Sequence, residues 1–172
     1  MTAPASRAQI TPRSSPGRCI AVRVGAALYG LHVDEVQEVV SMRPITRVFH
    51  APAVLCGVTN LRGDVLPVID LGVMLGAEAS PLADEAEHRI VVVREASGAK
   101  RRAGLRVDAL SGLRELPAEG LAPVPATLES KLSGLFVGII PDSPPCAVLS
   151  VTRIFAWPEL LPLSGVVAAE AT

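Results

Sequence analysis

The sequence predicts a mainly β domain built from small antiparallel barrels. Three observations carry that expectation. Eight to ten short apolar runs are set apart by Gly, Pro, Asn or Ser. Aromatic residues make up only 3% of the chain, which leaves Val, Leu, Ile and Ala to fill the core, and Val favours extended backbone. No stretch is long and periodic enough to serve as the crossover helix of a parallel βαβ sheet.

The elements follow in order. Residues 1–17 combine Pro, Ser, Thr and Arg without an apolar period, so a mobile leader is expected there. "RCIAVRVGAALYGLHV" predicts a first hairpin, with strands over 19–24 and 27–33 joined at Gly25. In "VDEVQEVVS" the valines 33, 36, 39 and 40 recur at helical spacing among Asp34, Glu35, Gln37 and Glu38. A short amphipathic helical turn and an irregular strand both fit it, and Pro44 sets its outer limit. "ITRV" reads as extended, and "HAPAVL" as a Pro-led turn running into Gly57.

"GVTNLRGDVLPVIDL" then gives two apolar strands about Asn60-Leu61-Arg62-Gly63. Asn at the first position and Gly at the fourth fit a type I turn. Neither requirement involves the guanidinium of Arg62, which is expected to project outward and make no bonds of its own. "DLGVMLG" reads as one helical turn, and residues 77–88, rich in Ala, Pro and acids, as a connector between two halves. Beyond it "HRIVVVREA" and "KRRAGLRVD" form a hairpin about Ser97-Gly98, and "ALSGLRELP" continues in extended pieces. After the turn-rich "LAPVPATLES", the runs "KLSGLFVGIIP" and "PPCAVLSV" supply two more strands. "VTRIFAWPELL" closes the domain as a short helix, and residues 161–172 form a tail.

Hydrophobic residues at 49% against 19% charged give ample material for one compact unit or two tightly associated halves. A formal net charge of −1 removes the positive field that nucleic acid binding requires. Cys19, Cys56 and Cys146 are odd in number and lack CxxC spacing, which argues against a disulfide framework or a zinc knuckle and for a reducing cytosol. No run reaches the roughly 18 apolar residues of a membrane span, and no signal-peptide pattern is present. A cytoplasmic protein without direct membrane insertion is expected.

A search for catalytic chemistry finds little. There is no GxGxxG and no GxxxxGK[ST], and His32, His50 and His88 lack the spacing of metal ligands. Cys56 with His50 would make a small cysteine hydrolase, but a buried thiol is inert. Asp34, Glu35 and Glu38 read as a solvated polar face. A barrel of this size could also bind oligonucleotides, yet that needs stacking aromatics and a basic groove, and this chain holds three Phe, one Trp and one Tyr.

"GVTNLRGDVLPVIDL", preceded by "YGLHVDEVQEVV" and followed by "AGLRVDALSGL", resembles the CheW family of chemotaxis coupling proteins over about residues 18–160. That resemblance implies two packed five-stranded β-barrels about a shared core, joined near residues 76–88. It implies an adaptor with no catalytic activity and no cofactor, bridging chemoreceptor cytoplasmic tips and a CheA-type histidine kinase, in flagellar taxis or in another motility or regulatory pathway. By motif position, Glu38, Gly57, Asn60 and Arg62 would line a receptor-facing groove between the barrels. Ile20, Val33 and Val36 would belong to an apolar kinase-facing surface, although core packing is the competing local explanation for each. Arginine suits such a groove because its planar, multi-donor head meets carboxylates and carbonyls at interfaces.

Overall fold

The computed structural model describes residues 17–78, 84–96, 101–127, 132 and 134–161. Most of the expected leader and tail, part of the 77–88 connector and the Ser97-Gly98 turn lie outside those residues.

Among the described residues the strands and short α-helices follow one another as β1 (Arg18–Val24), β2 (Ala27–His32), β3 (Val36–Ser41), β4 (Leu55–Leu61), β5 (Asp64–Asp70), α1 (Leu71–Leu75), β6 (Arg89–Arg94), β7 (Arg102–Val107), β8 (Ala109–Glu115), β9 (Phe136–Ile140), β10 (Cys146–Leu149) and α2 (Val151–Phe155). The strands form two five-stranded sheets, ordered β8-β1-β2-β10-β9 and β3-β6-β7-β5-β4. Each sheet takes strands from both sides of the 77–88 connector. After the β1–β2 hairpin the chain crosses to the second sheet for β3 to β5, and after the β6–β7 hairpin it crosses back for β8 to β10. The two halves of the chain thus repeat one pattern, hairpin, crossing strand, hairpin and helix.

The ambiguous "VDEVQEVVS" contains both of its alternatives. A 3-10 turn spans Val33–Glu35 and leads directly into β3.

Two details differ from the expected antiparallel barrels. β10 pairs with β2 in parallel, as β5 does with β7. Strand patterning has a period of two in either orientation, so it cannot report direction. The sheets are also open in their ladders. Among the described residues a single bridge spans each seam, Thr46↔Val58 between the chain after β3 and β4, and Ala122↔Ile139 between the chain after β8 and β9.

Apolar residues on both strand faces explain the near-continuous runs. On β1, Cys19 and Ala21 point into the curl of the first sheet, while Val22 and Val24 point into a core shared between the sheets. On β6, Ile90 and Val92 fill the second curl, and Val91 and Val93 face the shared core. A strand buried on both sides needs no polar alternation. Full burial of such a side chain stabilises the fold by about 1.5–3 kcal/mol.

The helices are too short to persist alone. Asp70 caps α1 by accepting from the Val73 N–H at 3.0 Å, and left-handed Gly76 ends it. Ser150 caps α2, whose Val151, Ile154 and Phe155 are buried in the shared core. A buried pair braces the same region. Glu95 accepts from Arg101 Nε at 2.7 Å and from Nη2 at 2.8 Å, while Arg101 lies 5.1 Å above the Phe155 ring.

Candidate functional site

The β4–β5 hairpin ends at Leu61↔Asp64, which leaves Arg62 and Gly63 as its two-residue loop. Their φ values of 54° and 92° are both positive, the signature of a type I′ turn, whose twist matches the strands it joins. The expected type I turn over Asn60–Gly63 is therefore corrected by one position. Asn60 supports the turn locally, its Oδ1 accepting from the Gly63 N–H at 3.0 Å.

Arg62 does make bonds of its own, contrary to expectation. Its Nη1 and Nη2 donate to Glu38 Oε1 and Oε2 at 2.5 and 2.7 Å, a bidentate pair. Glu38 lies on β3 and Arg62 at the tip of β4, the two opposite edge strands of the second sheet. The pair is a clasp across the open seam. Arg62 remains 70% exposed and Glu38 24%, so the back of the guanidinium still faces solvent. The hydrogen bond from Arg62 holds the Glu38 carboxyl below its ordinary range, with Arg102 and Arg43 adding smaller attractions. In return Glu38 pushes the Arg62 pKa up, and the arginine stays charged.

A second set of contacts lies on the same sheet. Arg102 on β7 donates to Gln37 Oε1 at 2.8 Å and to Asp64 Oδ2 at 3.3 Å, tying β3, β7 and β5 together. The sequence reading missed all three residues. Gln37 and Asp64 adjoin Glu38 and the turn, whereas Arg102 is brought in only by strand pairing.

Gly57 serves the site from beneath. It is buried at φ 143°, and a Cβ there would lie 2.2 Å from the Thr46 carbonyl oxygen. Only glycine lets Thr46 exchange two 2.8 Å backbone bonds with Val58. Gly57 thus does not offer surface as a groove-lining residue.

Ile20, Val33 and Val36 are each half-buried. Ile20 and Val36 pack against the shared core from different sheets, as the core explanation required. They flank the point where the chain passes from the first sheet to the second. Leu113, which faces Ile20 across the β1–β8 ladder, is 60% exposed and adds apolar surface that the sequence did not signal.

The hydrolase pair does not form. Cys56 is half-buried with Sγ 3.9 Å from Asp70 Oδ2, and burial, then the Asp70 charge, push its thiol pKa up. His50 stands exposed in a turn. Burial likewise pushes Cys19 up to about 12.

Fold and site together define a mainly β domain of two interleaved sheets whose distinctive chemistry is a charged hairpin rim. The chain belongs to the CheW-like domain family, whose model matches residues 18–159. It is 38% identical over 106 residues to a probable chemotaxis protein CheW of Rhizobium etli, covering 62% of this chain and 65% of that protein. It is 33% identical over 121 residues to Protein PilI of Pseudomonas aeruginosa, covering 68% of this chain and 65% of that one. The chain thus spans somewhat under two thirds of these relatives. Among solved structures, the scaffolding protein TtCheW of Thermoanaerobacter tengcongensis superposes with a TM-score of 0.70 at 26% identity, covering 81% of this chain and 88% of that one. No described helix is long and apolar enough to cross a membrane.

Proposed function

We propose that this chain is a non-catalytic cytoplasmic adaptor that couples chemoreceptor cytoplasmic tips to a CheA-type histidine kinase. The observation that carries this reading is the Arg62–Glu38 clasp, an exposed guanidinium held in a fixed orientation on a hairpin rim in a CheW-like domain. Arg62 and Glu38 meet the receptor directly. Asn60 and Gly57 act one step back, Asn60 by holding the turn and Gly57 by sealing its base. The half-buried Ile20, Val33 and Val36, with exposed Leu113 beside them, form the kinase-facing apolar rim.

Strand β3 carries both Val36 and Glu38, so receptor and kinase contacts share one rigid element. A receptor state alters the kinase only by the difference in binding free energy it makes between two arrangements of that element. The similarity to Protein PilI favours a second reading, in which the same adaptor serves a motility or regulatory pathway other than flagellar taxis and binds receptors without recruiting kinase.

The test is reconstitution from purified parts. The chain is mixed with a receptor-tip fragment and with the kinase from its source cell, separately and together. The adaptor reading predicts both binary complexes and one ternary complex in sedimentation velocity. Receptor binding alone supports the second reading, and absence of both binary complexes rejects the function.

A further inference from the structure

We propose that the turn at residues 48–51 is a second docking element, independent of the Arg62 rim, whose partner is a protein surface bearing an apolar socket edged by a carboxylate. Phe49 at the tip of this turn is 93% exposed, an unusual position for a large apolar side chain. Val48 beside it is 39% exposed.

The turn is rigidly mounted. The Ala51 N–H donates to the Val48 carbonyl at 3.4 Å, and Leu55 N–H to the Pro52 carbonyl at 2.9 Å. The Thr46–Val58 bridge pins one side of the base, and Thr59 Oγ1 donates to the Pro44 carbonyl at 2.8 Å. His50 turns the corner at φ 59°. It and Arg62 are the non-glycine residues with positive φ among those described, and strained backbone of this kind gathers at binding elements. A turn whose backbone is held in place before contact loses little backbone freedom on binding.

Charge selects the partner. Between Glu38 and Asp64 the sequence contains no acidic residue, and Arg47 and His50 flank the tip at Phe49. Arg47 is exposed and neither donates a hydrogen bond nor closes an ion pair among the described residues, whereas Arg43 lies toward the Arg62 end of β4, where its charge acts on Glu38. Beside the turn lies a groove of about 570 Å³ lined by Ile45, Arg47, Val48 and Pro52 among others, together with Asp70 and Arg106, which pair with each other at 3.1 Å and leave Arg47 as its unpaired charge among the described residues. A partner that accepts Phe49 and offers a carboxylate to Arg47 matches both properties.

Two other occupants fit less well. A second copy docked about a two-fold axis would bring Arg47 of both copies together, a like-charge arrangement that costs affinity. A lipid bilayer would gain one aromatic side chain and one arginine, far less than the broad apolar face that holds proteins at membrane interfaces. The Arg62 rim lies at the far end of β4, whose seven residues span about 20 Å, so both elements can be engaged at once.

The test places a photo-crosslinking phenylalanine analogue at position 49 of the full chain in its source cell, with Glu119 as an exposed control position. The crosslinked polypeptide is identified, purified and titrated against the wild-type chain, Phe49→Ala, Phe49→Trp and Arg47→Glu. The proposal predicts a crosslink absent from the control, to a segment with an apolar residue and at least one carboxylate. Phe49→Ala should weaken binding at least tenfold, Arg47→Glu should weaken it further at low salt, and Phe49→Trp should retain it. Thermal transitions of the variants should match wild type, because the side chain is exposed. In parallel, the chain is sedimented with vesicles containing phosphatidylglycerol and its mass is measured by light scattering. A crosslink to lipid or to a second copy, vesicle binding lost in Phe49→Ala, or partner affinity unchanged by that substitution would overturn it.

Discussion

Arg62 adopts left-handed backbone at φ 54°, a conformation that costs a non-glycine residue roughly 1–2 kcal/mol. A glycine at this tip would remove the strain but also the guanidinium. Glu38 orients the head group, and its own titration reports the clasp. Because folding lowers the Glu38 pKa, the contribution of the pair is present above the ordinary carboxylate value of 4.5 and is lost as pH falls through the lowered value. A carboxyl-carbon NMR titration should therefore place the Glu38 midpoint below 4.5 in the native chain and move it upward in Arg62→Ala. An unshifted native midpoint would show that the clasp is open in solution. At this scale the sequence was partly legible. Asn60 and Gly63 announced a turn, and the outward course of Arg62 followed from it. The pairing with Glu38 was hidden, since 24 residues separate the partners and only closure of the sheet brings them together.

Among elements, the chain between β3 and β4 is the most informative. It holds one half of a seam, and Gly57 is its point of failure. Gly57→Ala places a Cβ against the Thr46 carbonyl in a conformation that side chains avoid. The substitution should destabilise the fold on the order of 3 kcal/mol and expose the Thr46 and Val58 amides to rapid hydrogen exchange. A Gly57→Ala variant with native stability and protected amides would contradict this account of the seam. Turn punctuation made the strands readable, and the run "IVVV" in β6 was read correctly as extended. The turn at Arg62 was misplaced by one residue because Asn60 and Gly63 satisfy type I chemistry on paper. Hairpin twist, which favours type I′, decides the register only once the strands are paired. "ITRV" contributes a single bridge at Thr46 where a fuller extended segment was expected.

In the whole molecule, the repeated pattern includes the clasp. Where Glu38 on β3 holds Arg62 of the β4–β5 hairpin, Arg114 on β8 donates to Asp142, beyond β9, at 3.0 Å. The polarity is reversed, and the hairpin member is again the more exposed, at 51% for Asp142 against 22% for Arg114. Strand exchange between halves makes each sheet depend on both. A chain divided between residues 78 and 84 should give two fragments without a cooperative thermal transition when separate, and one when mixed. Independent folding of either fragment would contradict the exchange. Strand number and fold class were legible from apolar runs and from the family resemblance. The exchange and the parallel pairs were not, because alternation encodes burial and carries no direction. The most direct measurement uses the reversed clasp. Calorimetric affinity for a receptor-tip fragment is compared among the native chain, Arg62→Glu, and Arg62→Glu combined with Glu38→Arg, which recreates the polarity already found at Arg114–Asp142. The account predicts a loss of about thirtyfold for the single variant, and a similar loss for the double variant with its thermal stability restored. Unchanged affinity in a folded Arg62→Glu, or full recovery in the double variant, would show that the guanidinium is not the contact.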